Sequence, residues 1–216
     1  MGAPVSWSQF GEDDIVRRIF DGHELVDRIP TVLDIGAWGV KDFSNSRLFI
    51  EAGWQAVLVE FSPCPVDALV REYGYNDRVQ VIQAAITADE QHVQRFEITQ
   101  DALSSNRPEV ISQWRDMASD GTVGSNRGGY YGRLWVPTLS VMDLLNQFFG
   151  DRKPDFASVD TEGSSVEVAL ALMATDWRPR VVCVEYDQQL PYLLERAQEW
   201  GYKAVHTNST NVILER

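Results

Sequence analysis

TVLDIGAWGVKDFSNS, residues 31–46, decides the fold. Thr31–Ile35 is apolar except for its first residue and Asp34, and shows no alternation. That is the pattern of a short strand buried on both faces of a sheet. Gly36 and Gly39 follow directly, and a glycine there lets the chain turn sharply and leaves space for a ligand. The motif is D-x-G-x-x-G, one glycine short of the dinucleotide fingerprint, and its acid precedes the first glycine. An acid in that place repels a pyrophosphate but suits a cofactor carrying an ammonium and a sulfonium. Trp38 is the odd member of the turn. It is read either as a wall near the positive end of the cofactor or as plain cover for the sheet rim.

Outward from this turn, strand-like and helix-like segments alternate, which is the signature of an α/β sheet. Helices are expected over Ser8–Val26, Asn45–Ala52, Val66–Tyr73, Ser140–Phe149, Ser164–Ala174 and Leu190–Trp200. Strands are expected over Thr31–Ile35, Ala56–Phe61, Val79–Thr87, Phe156–Asp160 and Arg180–Tyr186. Two closing segments, Lys203–Thr207 and Asn211–Leu214, flank the hairpin-like turn Asn208-Ser209-Thr210. Residues 88–138 break the rhythm, with a partly alternating run at Val93–Ile98 and a short strand at Leu134–Leu139 whose Pro137 belongs at an edge or bulge. Between them lies GTVGSNRGGYYGR, residues 121–133, too glycine-rich for a helix or strand interior. It reads as a lid bringing Tyr130 and Tyr131 over a substrate, or as a surface loop. A sheet closing on an antiparallel pair is typical of the Rossmann-like class I methyltransferase fold: mostly parallel, seven-stranded, with helices on both faces. One domain is expected over residues 1–216, with an insertion at about 88–138 forming the substrate side.

The chain of 216 residues carries 32 acids against 19 Lys and Arg, a formal charge of −13. Such a surface repels phosphodiester backbones and anionic lipid heads, so nucleic-acid and membrane-surface partners are not expected. A small-molecule or glycan acceptor is. No window approaches a membrane span, and a cytoplasmic location is expected although Met1–Ser6 fits the loose myristoylation pattern. Cys64 and Cys183 are too few for a disulfide framework, and both are read as buried thiols beside strands.

Glu60 ends the second strand in VLVEFSP, about 20 residues beyond the glycine turn, where an acid meets the ribose hydroxyls of an adenosine cofactor. Phe61 can lie against the adenine face. The fourth strand runs into Asp160-Thr161-Glu162-Gly163 and the fifth into Glu185-Tyr186-Asp187, and ligands of open α/β sheets bind outside these carboxyl ends. Asp160, Glu162 and Glu185 are therefore the catalytic candidates, as bases or as groups that position a hydroxyl. Asp160, Glu185 and Asp187, with Glu162, could instead hold a divalent cation such as Mg through oxygen ligands. Against both stands the ordinary role of Asp160 or Thr161 as a helix cap. Of the histidines, His23, His92 and His206, only His206 merits a test; Arg127 and Arg133 could meet an acidic group on the acceptor. No Cys-Pro-Pro or Asn-Pro-Pro-Tyr segment of the common DNA methylases is present. An NAD-dependent oxidoreductase and a non-catalytic binding module are the competing readings.

Taken in order, Ser8-Gln9-Phe10-Gly11-Glu12-Asp13, DIGAWGVKDFSNS, Gly53-Trp54 with LVEFSP, ASVDTEGSS, VVCVEYD and Thr210-Asn211-Val212-Ile213 resemble the FkbM-type methyltransferases. The resemblance runs over most of the chain. It implies S-adenosylmethionine (SAM) as methyl donor and, most often, O-methylation of a sugar or secondary metabolite. It implies that Gly36, Ala37 and Glu60 bind SAM and that Gln9, Ser44 and Asn45 border the pocket. Asp34, Trp38, Phe61 and Ala85, at the ends of the first three strands, complete the expected cofactor set. Trp38 departs from the small or polar residue usual in this family, and Phe61 from a common proline.

Overall fold

The computed structural model describes residues 6–21, 28–89, 92–99, 104–107, 112 and 130–216. The elements are α1 (Glu12–Phe20), β1 (Thr31–Ile35), α2 (Arg47–Glu51), β2 (Gln55–Glu60), α3 (Pro63–Tyr73), β3 (Val79–Gln83), β4 (Ala85–Thr87), β5 (Val93–Thr99) and β6 (Tyr130–Ser140). They continue with α4 (Val141–Phe148), β7 (Phe156–Val159), α5 (Ser165–Met173), β8 (Val181–Glu185), α6 (Leu190–Gln198), β9 (Lys203–Thr207) and β10 (Asn211–Glu215).

Seven strands form one sheet in the order β3-β2-β1-β7-β8-β10-β9. The pairs from β3 to β8 are parallel, and β10 runs antiparallel to both β8 and β9. β1 is buried along its whole length and β7 likewise, as unalternating apolar runs require. One face is covered by α4, α5 and α6, whose Leu144, Leu145, Val168, Leu172 and Leu193 pack with Leu33, Val57 and Val182. The other carries α1, α2 and α3 through Val16, Phe49 and Leu69 against Val32, Leu58 and Phe156. The expected mostly parallel α/β sheet, with its antiparallel closing strands, is the observed one. Among the described residues no helix is long and apolar enough to cross a membrane.

Four expectations are corrected. The strand expected over Val79–Thr87 breaks at Ala84, whose N–H bonds the Glu60 carbonyl at 3.2 Å. Its second half leaves the large sheet as β4 and pairs in parallel with β6, and β5 pairs antiparallel on the other side of β6. The glycine-rich segment is strand at its end: Gly132 lies in β6 with φ 146, where the β5–β6 register shifts. A glycine accommodates such a bulge without a Cβ penalty. Residues 121–129, the body of the expected lid, lie outside the described residues, as do His23 and Arg127. The helix expected over Ser8–Val26 is observed over Glu12–Phe20, with residues 22–27 outside the described set. Cys64 is exposed on α3 and only Cys183 is buried; in the first turn of α3 it is Pro65, not Cys64, that turns inward. Pro137 sits at a local edge, since β4 pairs only with Thr138–Ser140 and leaves that side of β6 open beyond.

Candidate cofactor and active site

The order of the sheet reverses between β1 and β7, and the site lies there, at the carboxyl ends. The turn after β1 folds over the end of β2. The N–H groups of Gly36 and Ala37 both donate to the Val59 carbonyl, at 2.9 and 3.1 Å, and Trp38 N–H donates to Glu60 Oε2 at 3.1 Å. Gly36 has φ 85, and a Cβ on it would lie 1.6 Å from the Asp160 carbonyl oxygen. Trp38 itself has φ 25, a conformation that costs a bulky residue and is held by the turn around it.

A cavity of about 640 Å³, counting its open mouth, begins at this turn. Gly36, Trp38, Glu60, Phe61, Ala85, Asp160 and Glu162 of the expected site residues line it. Gln9, Asp34, Ala37, Ser44, Asn45, Glu185 and Asp187 do not. Gln9 is exposed ahead of α1, and Ala37 is packed in the core on the far side of the turn. Ser44 and Asn45 act as struts: Ser44 N–H meets the Trp7 carbonyl at 3.1 Å and Asn45 Nδ2 donates to Ser158 Oγ at 3.0 Å. Asp34 is 3 % exposed beneath the turn. Burial pushes its carboxyl up to about 6, helped by the charge of Asp160 and opposed by hydrogen bonds with Ser46 and Ser158.

Glu60 is 5 % exposed. Its Oε1 accepts the N–H groups of Phe61 and Ser62 at 2.8 and 2.7 Å, and its Oε2 that of Trp38. Burial nonetheless pushes Glu60 up to about 7, with the charge of Asp34 adding and the three backbone donors opposing. Glu60 and Asp34 thus bind protons more tightly folded than unfolded. The stability they lend is complete below pH about 4 and is lost as pH rises through 6 and 7. The ligand-free protein should therefore be more stable at pH 5.5 than at pH 8 by on the order of a few kcal/mol, and melt at the higher temperature at pH 5.5. Thermal scans across that range check this, and a melting point that climbs from pH 5.5 to 8 would contradict it.

The wall that Asp160 and Glu162 give the cavity is acidic. Asp160 follows β7, with its N–H on the Ile35 carbonyl at 2.9 Å. Side-chain oxygens of Asp160, Glu162 and Glu185 all lie within 4.8 Å of one another. Asp187, expected among the cation ligands, is not in that group. Burial first, then the charges of Asp160, Glu162 and Asp187, push Glu185 far up, so it keeps its proton and shares it in a hydrogen bond with Asp160. Burial also raises Asp160 and Asp187. Among the described residues, Oδ1 of Asp160, Oε2 of Glu185 and Oδ2 of Asp187 are buried with no hydrogen-bond partner. Left-handed φ values of 50 at Glu162 and 42 at Asp187 mark the same loops, and strain of this kind gathers at functional sites. Asp160 does not cap α5: Ser164 holds the cap position, and Thr161 bonds Ser164 and Ser165. His206 lies on the outer strand β9 and Arg133 pairs with Glu97 at 3.3 Å, so neither enters the cavity.

Two sets of residues escaped the sequence reading. Glu12, fully buried, accepts Asn208 Nδ2 at 2.8 Å, Asn211 Nδ2 at 2.7 Å and Phe10 N–H at 2.9 Å. Burial works to raise its carboxyl, but these donors outweigh it and hold Glu12 below the usual range, a fixed anion beside Asp160. The segment Ser8–Asp13 was its only signal. Phe96, Ser104 and Asn106, from the insertion, line the cavity as well; nothing in their spacing announces it.

A family model described as the methyltransferase FkbM domain matches residues 33–204. No curated protein matches the chain. Among solved structures, the METTL16 MTase domain superposes with a TM-score of 0.52 at 12% identity, covering 99% of this chain and 68% of that one. The human methyltransferase 10 domain containing protein gives a TM-score of 0.50 at 13% identity, covering 94% and 80%. At such identities these two show the fold alone. The family match is of another kind, running from β1 to β9 through the glycine turn, Glu60 and the acidic loops, and by it the chain belongs to the methyltransferase FkbM domain family.

Proposed function

We propose that the protein transfers the methyl group of SAM to a hydroxyl of a sugar, glycan or secondary metabolite. The observation that carries this reading is that Asp160 and Glu162, with a Glu185 oxygen within 4.8 Å of theirs, line the same cavity as the glycine turn and Glu60. The residues present fit the cofactor. Glu60 Oε1 is filled by two N–H donors and Oε2 by one, which leaves an acceptor site on Oε2 for a ribose hydroxyl. Glu60 thus meets the ribose through one oxygen. Phe61 lies 4.3 Å from Phe96, centroid to centroid, and offers an aromatic wall for adenine. No Lys, Arg or His lines the cavity among the described residues, which suits a sulfonium and an uncharged acceptor and disfavours nucleic acid. When bound, SAM supplies a methyl group already activated for in-line displacement.

The chain's own work is to orient and deprotonate. Asp160 Oδ1, buried and unpartnered, accepts the acceptor's O–H and holds its oxygen in line. The Glu185 proton leaves one negative charge on the pair, so uptake of the hydroxyl proton leaves the pair neutral. A second reading has a divalent cation held by Asp160, Glu162 and Glu185, favoured by their 4.8 Å grouping; it would supply Lewis acidity to the same oxygen.

Radiolabelled SAM with a panel of sugars and hydroxylated metabolites tests the proposal. Asp160→Asn should keep SAM affinity within about threefold and lower turnover at least about 100-fold. EDTA should leave the wild-type rate intact; a loss restored by Mg would favour the second reading. Tight NAD(H) binding without SAM binding would overturn both.

A further inference from the structure

The apolar end of the cavity has walls but few groups that could tell one base from another. Ala84, Ala85, Ile86, Phe61 and Phe96 give surface, and the side chains with polar atoms beside them are Ser62, Ser104 and Asn106. Ser104–Arg107 is a strap alongside β5. Ser105 exchanges both backbone hydrogen bonds with Glu97, at 2.9 and 3.1 Å. Continuing that antiparallel register by one residue brings Asn106 beside Phe96.

The strap is fixed on its other side too. Ser105, fully buried, donates from Oγ to the Glu162 carbonyl at 2.7 Å and accepts Arg107 N–H at 3.1 Å, while Arg107 pairs with Glu167 at 2.7 Å. Asn106 Nδ2 donates to Gln94 Oε1 on β5. With its nitrogen so engaged, the Asn106 amide has its carbonyl oxygen to offer a ligand in the cavity it lines.

We propose that Asn106 reads the adenine edge of the cofactor, giving its side-chain carbonyl to the exocyclic amine while Phe61 and Phe96 hold the ring. This rests on the methyltransferase reading. An acceptor in that place selects for a 6-amino purine and against a 6-oxo purine, whose oxygen would face Asn106 Oδ1 with no proton between them. The insertion therefore contributes to cofactor choice as well as to the substrate side.

Calorimetry with S-adenosylhomocysteine and its deaminated counterpart, S-inosylhomocysteine, tests this without any methyl acceptor. The wild type should prefer the amino compound by about tenfold or more. Asn106→Ala should bring the two within about threefold, chiefly by weakening the amino compound. Gln94→Ala leaves Asn106 in place but frees its amide to turn, and should narrow the preference in the same direction; it serves if the first variant does not fold. A preference unchanged in both variants, or absent from a wild type that binds both compounds, overturns the assignment of Asn106 alone. A wild type that binds neither overturns the methyltransferase reading and this assignment with it.

Discussion

Gly36→Ala should leave a protein that neither reaches a normal melting point nor binds SAM. The added Cβ would stand 1.6 Å from the Asp160 carbonyl oxygen, a main-chain atom at the end of the adjacent parallel strand. No side-chain rotation relieves that contact, so β1 and β7 must part where Asp160 N–H meets the Ile35 carbonyl. The left-handed backbone adds about 1–2 kcal/mol, and the total should exceed about 4 kcal/mol. Gly11→Ala is the control. Gly11 has nearly the same φ, 84, but nothing lies within 4 Å of its added Cβ. It should therefore show the backbone cost alone. Urea midpoints of the two variants separate the causes, and equal losses would show that the close approach at Gly36 is not what constrains it.

Glu60→Gln should cost at least about 100-fold in SAM affinity while the protein stays folded. The glutamine oxygen can still serve Phe61 and Ser62, but the amide nitrogen then faces Trp38 N–H, donor against donor. The turn loosens at Trp38 and the ribose acceptor is gone. Because burial pushes Glu60 up to about 7, the same variant should lose part of the fall in stability between pH 5.5 and 8. Calorimetry gives the first quantity and thermal scans the second. SAM binding within threefold of wild type would sink the ribose assignment.

The frame of the molecule was legible because its strands are short, apolar on both faces and separated by amphipathic helices. Phe156–Val159 and Val181–Glu185 are buried by the same sheet that reads them as continuous runs. The glycine turn and Glu60 were legible for a related reason, since each lies within a few residues of a strand end. What stayed hidden depends on distant partners. Whether Ala84 ends one strand or joins two is decided by β6, more than 40 residues on. Asp34 reads in sequence as a cofactor ligand, yet its carboxyl is buried beneath the turn in hydrogen bonds with Ser46 and with Ser158 of the neighbouring strand. Ser104 and Asn106 show no periodicity because a strap of four residues follows its neighbour's register and not its own.

Glu12 bears on how fast such a chain folds. Its bonds to Asn208 and Asn211 close loops of 196 and 199 residues, and β10, which carries Asn211, enters between β8 and β9 as an inner strand. Contacts of such separation return nothing until nearly the whole chain is ordered, so they belong to the late, slow part of assembly. Refolding from urea should accordingly pass through a species with the β1–β2–β3 half formed and β10 still outside the sheet.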